Sequence, residues 1–158
     1  MRLTLRTLPA ARALVTIPNV APVTAAVLLG SIGDPKAYDS SRQVLAVAGL
    51  SLVERSSGIM QGLKRISKRG RPALRKLAYM FALRSVRQDG IYRKEYEALL
   101  GRNGDKKIPA LMAIARKGLK LMFAIAKAER SWTPARPGER RVDVTGAMSS
   151  TGALDESH

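Results

Sequence analysis

Two adjacent hydroxyl residues stand in Glu54-Arg55-Ser56-Ser57-Gly58, and a basic block, Ile66-Ser67-Lys68-Arg69-Gly70, follows a few positions later. From residue 64 to residue 76 the chain carries seven Lys or Arg and no acid. A serine becomes a nucleophile only when its hydroxyl proton has somewhere to go. Serines placed before a glycine and beside a field of cations point to chemistry on an anion, whose developing charge those cations would stabilise. Phosphate is the obvious anion. The plainer alternative is a solvated loop leading into a cationic helix face, and a short motif does not separate the two.

The rest of the composition narrows the choice. A chain of 158 residues, 46% apolar, is long enough for one domain with its own core. The net charge of +16 is unevenly spread. Residues 55–130 hold twenty bases and five acids, residues 1–54 five and three, and residues 131–158 three and four. A field concentrated in mid-chain attracts a polyanion through counterion release, with affinity that falls steeply as salt rises. Nucleic acid is the favoured partner; an anionic membrane surface and a ribosomal or chromatin-like packing role are the competitors. The absence of cysteine removes disulfides, zinc ribbons and thiol catalysis, and fits a cytosolic protein. The single histidine is His158, which leaves no Ser-His triad and no His-ligated metal.

The elements that must position these residues read as mainly helical, with no good alternating strands. A short helix over 9–15 is followed by a tight turn, Ile17-Pro18-Asn19-Val20-Ala21-Pro22, because each proline disfavours helix at the residue before it. Pro22 suits the first turn of a second helix that runs to about residue 30 and buries Val23, Ala26, Val27 and Gly30. Gly33-Asp34-Pro35 breaks the chain, and Ser40 or Ser41 caps a helix over 42–48 that ends at Gly49. Leu50 to Val53 is a strand-like connector or a loop on the core, and the serine loop spans 54–70. Pro72 opens a helix with Leu74, Leu77, Ala78, Phe81 and Ser85 on one face. A further helix covers 91–100, with Tyr92 and Tyr96 read as packing residues rather than nucleophiles. The last helix, 109–128, has an apolar stripe of Ile108, Leu111, Met112, Ala115, Leu119, Met122, Phe123 and Ala126. Arg116, Lys117, Lys120 and Lys127 form its wet face. From residue 131 the periodicity ends, and the tail over 131–158 is expected to be disordered, with Trp132 anchoring its start. The apolar stretch over 13–29 is interrupted by Pro18 and Pro22 and does not read as a signal or membrane span.

In order, Ile17-Pro18-Asn19-Val20-Ala21-Pro22-Val23-Thr24-Ala25, Ile32-Gly33-Asp34-Pro35, Ala48-Gly49-Leu50, Ser56-Ser57-Gly58 and Ile66-Ser67-Lys68-Arg69-Gly70 resemble one known family. The set is similar to the C-terminal domain of DEDD-type, bridge-RNA-guided insertion-sequence transposases, over roughly residues 14–128. The resemblance implies a helix-hairpin-helix-like unit over 9–33, the serine loop over 54–70 and basic helices over 71–129, together making one domain over 1–130. It implies that Ser57, with Ser56 as the alternative, attacks a DNA phosphate and forms a transient covalent link. Lys68 and Arg69 match its basic motif, and Lys64, Arg65, Arg71 and Arg75 complete the expected nucleic-acid-binding set. Where the family's hairpin carries glycines, this chain has Asn19 and Ala21.

Family members also resemble a nuclease-like N-terminal domain with four metal-binding carboxylates, where Mg2+ is expected. The scattered acids of this chain offer no paired arrangement for two metals, so no metal site and no cofactor are expected here. The chain is therefore expected to be a partial transposase, inactive without that domain. DNA, a guide RNA and further copies of the full-length enzyme are the implied partners, no membrane is expected, and the implied location is the bacterial cytoplasm, on the nucleoid. Two other readings stand beside this one. A non-catalytic helical module would need only charge and shape, and a membrane-surface protein would use the helix over 109–128.

Overall fold

The computed structural model describes residues 7–57, 60–102 and 104–134, with the backbone alone over 54–65. Its elements are α1 (Pro9–Leu14), α2 (Pro22–Ile32), a 3-10 turn (Pro35–Ala37), α3 (Ser41–Val47), β1 (Leu52–Ser57), β2 (Met60–Ile66), α4 (Pro72–Ser85), α5 (Arg93–Arg102) and α6 (Lys107–Ala128). The mainly helical reading holds. The tail from residue 135 onward lies outside the described residues.

Helix α6 is the axis of the body. It packs against α4, α1, α3, α5 and the 3-10 turn, and α2 lies on α4 and α1. Its stripe is buried as the periodicity predicts at Leu111, Ala115, Leu119, Met122, Phe123 and Ala126, whereas Ile108 is 69% exposed at the first turn. Ile114 is buried on the same helix, and Leu14, Ile17, Leu28, Val44, Leu50, Leu74 and Phe81 close the core from the rest of the chain. Tyr92 is buried and meets the Phe81 ring edge-on at 6.3 Å, in agreement with a packing role. Among the described residues, no helix is long and apolar enough to cross a membrane.

Three local expectations need correction. Helix α2 buries Thr24, Ala25, Leu28 and Ile32, and leaves Val23 72% exposed. Its sequence contains no charge, so every face reads as apolar and periodicity cannot set the phase. At α3, Ser40 occupies the cap position but its side chain makes no capping bond; Gln43 Oε1 accepts from the Asp39 amide at 2.9 Å instead. The segment expected as a connector and a loop folds as an antiparallel hairpin, because β1 and β2 pair along most of their length. Trp132 does anchor the chain after α6: it packs against the core, and its amide donates to Thr16 Oγ1, just past α1, at 2.7 Å.

The contact between α4 and α6 explains a glycine. A Cβ on Gly118 would sit 2.4 Å from the Phe81 ring, so α4 presses its aromatic side chain onto bare α6 backbone. Gly118→Ala is expected to lower the thermal midpoint, because overpacking costs about 1–3 kcal/mol against a propensity gain of about 1 kcal/mol. Gly30→Ala, in α2 with open space around it, should instead raise stability by about 0.5–1 kcal/mol. Thermal unfolding followed by circular dichroism separates the two; a rise at Gly118 would mean that the ring has room to retreat.

Candidate nucleic-acid interface

The basic block lies where the hairpin joins the helical body. Leu52 pairs with Ile66, Val53 with Arg65, Glu54 with Lys64, Arg55 with Leu63 and Ser57 with Met60, with a register shift between Arg55 and Ser57. Beyond the last pair, the Ser67 amide donates to Ser51 O at 2.9 Å and the Lys68 amide to Gly49 O at 3.0 Å. The Arg71 amide then donates to Val47 O at 2.7 Å, and Pro72 starts α4. The chain thus leaves the body after Gly49, runs out along β1, returns along β2 and re-enters within a few residues of where it left. Residues 67–71 form a collar at the base of this arm.

The expected site residues divide between arm and collar. Ser57 ends β1, and Ser56 falls in the register shift; the side chains of both, and of Lys64 and Arg65, lie outside the described residues. Lys64 is the cross-strand neighbour of Glu54, the one acid of the two strands. In the collar Lys68, Arg69 and Arg71 are exposed, and Lys68 has a left-handed backbone at φ 55°. Arg75 differs: it is half-buried, and its guanidinium is engaged with backbone carbonyls. Five residue steps at about 3.3 Å put Ser57 roughly 17 Å from the Leu52–Ile66 pair, and its Cα about 20 Å from that of Lys68.

Charge is unopposed over much of this surface. Neither α4 nor α6 contains an acid. Among the described residues the ion pairs are Lys36–Glu129 at 3.0 Å, Arg93–Glu97 at 2.6 Å and Lys117–Glu95 at 2.6 Å, and none involves the collar. Lys117, expected on the wet face of α6, is therefore bound to α5. Lys127 on that face donates to the Tyr38 carbonyl. Burial lowers the Arg116 guanidinium below its ordinary value, and its Nε has no hydrogen-bond partner among the described residues. It remains a cation, since arginine cannot lose its proton in a protein. The described residues bring no three metal-ligating side chains together.

The helical hairpin shows how the non-glycine residues are accommodated. Asn19 adopts φ 66°, the left-handed conformation that glycine supplies most cheaply and that asparagine tolerates. Ala21 is extended at φ −81°, where no glycine is needed. The Val20 amide donates to Ile17 O at 3.1 Å to close the turn.

The structure is a helical body with an exposed basic collar at the base of a two-stranded arm, and the family comparison gives it a context. Residues 11–97 match the model of the IS116/IS110/IS902 transposase family, and the chain belongs to that family. It is 31% identical over 137 residues to the insertion element IS116 uncharacterized 44.8 kDa protein of Streptomyces clavuligerus, covering 87% of this chain and 34% of that protein. It is 27% identical over 119 residues to the insertion element IS110 uncharacterized 43.6 kDa protein of Streptomyces coelicolor, covering 75% of this chain and 29% of that protein. A match of 43% over 67 residues joins it to the transposase for insertion sequence element IS1328 of Yersinia enterocolitica, covering 42% of this chain and 20% of that protein. The chain thus spans about a third of the length of these two Streptomyces relatives.

The left-handed turn residue gives a direct test of the helical hairpin. Asn19→Val should destabilise the fold by about 1–2 kcal/mol, because a β-branched residue resists positive φ. Asn19→Gly should cost little or nothing. Urea unfolding of the two variants measures the difference, and equal midpoints would contradict the turn geometry.

Proposed function

We propose that this chain is the DNA-engaging part of an insertion-sequence transposase, with the collar holding the phosphate backbone and Ser57 carrying out strand cleavage and transfer. The observation that carries the reading is the collar itself. Lys68, Arg69 and Arg71 are exposed, free of carboxylate partners among the described residues, and fixed at the root of an arm that ends at Ser57. In the cleavage step the Ser57 Oγ–P bond forms as the bond from phosphorus to the leaving deoxyribose oxygen breaks. The hydroxyl proton passes to a base, and the leaving oxygen takes up a proton. Ser56 is the alternative nucleophile.

Arm length changes what the cations do. A separation of about 20 Å corresponds to on the order of six base pairs of rise along a duplex axis. Lys68 and Arg69 therefore grip phosphates well away from the one attacked, acting as an anchor and not as charge stabilisers at the scissile bond. Lys64 and Arg65, on β2, are the cations of the set nearest to the serine in the strand register. Mg2+, which the family resemblance assigns to a nuclease-like domain, finds no donor set among the described residues, and no step here is routed through it. In the complete enzyme the partners are DNA, a guide RNA and further copies of the same protein, acting in the bacterial cytoplasm on the nucleoid. The chain alone is expected to bind DNA without cutting it.

Binding to duplex DNA across a salt series tests the anchor. Lys68→Ala with Arg69→Ala should flatten the slope of log K against log salt by about 1.8, or 0.9 for each phosphate contact. The Lys64→Ala/Arg65→Ala pair lies far enough away that its effect should add to the first within about 0.5 kcal/mol. Ser57→Ala should leave binding unchanged and abolish strand transfer when the chain is joined to the remaining part of a relative. Intact strand transfer in that variant would move the role to Ser56, and intact transfer with both serines replaced would reduce the chain to a non-catalytic binding module.

A further inference from the structure

Arg75 belongs by sequence to the basic block, yet its guanidinium faces the protein. Nη1 donates to Lys68 O at 3.0 Å and to Ala48 O at 3.3 Å. These carbonyls lie on the two segments that meet at the arm's base, one leaving α3 and one returning from β2. The segments touch through glycines. A Cβ on Gly70 would lie 2.4 Å from Gly49 N and 2.5 Å from Val47 O, and one on Gly49 would lie 2.7 Å from Arg75 Nη1 and 2.9 Å from Arg69 O. Both glycines have positive φ, 68° at Gly49 and 150° at Gly70. Between them Lys68 is held left-handed, with its amide on Gly49 O and its carbonyl on Arg75.

We propose that Arg75 is a positioning residue that clamps the collar to the end of α3, fixing the backbone of Lys68 and Arg69 rather than holding phosphate itself. A guanidinium suits the task, since its planar fork presents several donors in fixed geometry, whereas an ammonium is a single point on a flexible stem. Two exposed cations on a loop with a sparsely populated backbone conformation would otherwise have to be ordered on binding, at a cost in affinity. The clamp prepays that ordering. The benefit to DNA binding rests on the function proposed above; the clamp itself does not.

The test compares Arg75→Met, Arg75→Lys and Lys76→Met, the last removing a neighbouring exposed cation of equal charge. Amide exchange at Ser67, Lys68 and Arg71 reads the clamp, and duplex DNA binding across a salt series reads its consequence. Arg75→Met should speed exchange at these amides by about tenfold or more with the helical signal retained. It should also flatten the salt slope by more than the roughly 0.9 expected of one phosphate contact. Lys76→Met should leave exchange unchanged. Unchanged exchange in Arg75→Met, with a slope loss of a single contact, would make Arg75 a direct phosphate ligand and overturn the proposal. If Arg75→Met unfolds the chain, Arg75→Lys decides: faster exchange and weaker binding despite the retained charge support the clamp, and wild-type values for both overturn it. If the wild type fails to bind DNA, the proposed function falls, and the exchange data still decide on the clamp.

Discussion

Everything outside the helical core depends on one contact, the crossing of Gly49 and Gly70. Two backbone segments approach so closely there that a single methyl group on either would collide with main-chain atoms. The crossing lets the chain leave the body and return to it at almost the same place. An arm of two strands then projects from a closed ring of hydrogen bonds rather than from two independent hinges. Isolated two-stranded hairpins are marginal in water. This one is secured at its root by backbone pairing that continues past the strands into the collar.

The body contributes rigidity and charge. Helix α6 is gripped on several sides, with Phe81 seated on Gly118 and the Lys117–Glu95 pair joining it to α5. Neither α4 nor α6 carries an acid, so their exposed cations add to the field around the collar. Such a field acts mainly on encounter and on non-specific affinity. The serine, by contrast, stands away from it at the end of the arm. In the function proposed here, attraction and chemistry thus fall to different parts of one small module.

Much of this was legible in the sequence, and the exceptions have physical reasons. The stripe of α6 is readable because Leu111, Ala115, Leu119 and Met122 alternate with lysines, giving the period a clear phase. Pro22 and Pro72 mark the starts of α2 and α4 because proline tolerates a first helical turn and little else. The buried face of α2 is not readable, since a helix without charge has no polar side to define it. The arm escapes detection because neither strand alternates: the two apolar residues of β1 stand together at its start, and those of β2 fall three apart, at Met60, Leu63 and Ile66. Arg75 is indistinguishable in sequence from the arginines around it; only the two carbonyls beside its Nη1 show that it faces inward. The glycines at 49 and 70 are visible as turn signals, but their mutual contact is a property of the crossing.

The most direct test is to follow the backbone amides of the chain by nuclear magnetic resonance while a short DNA duplex is added. The account predicts shift changes concentrated on the collar and the returning strand, from Lys64 through Lys76, with the buried face of α6 unmoved. Changes confined to α5 and α6, with the collar untouched, would contradict it.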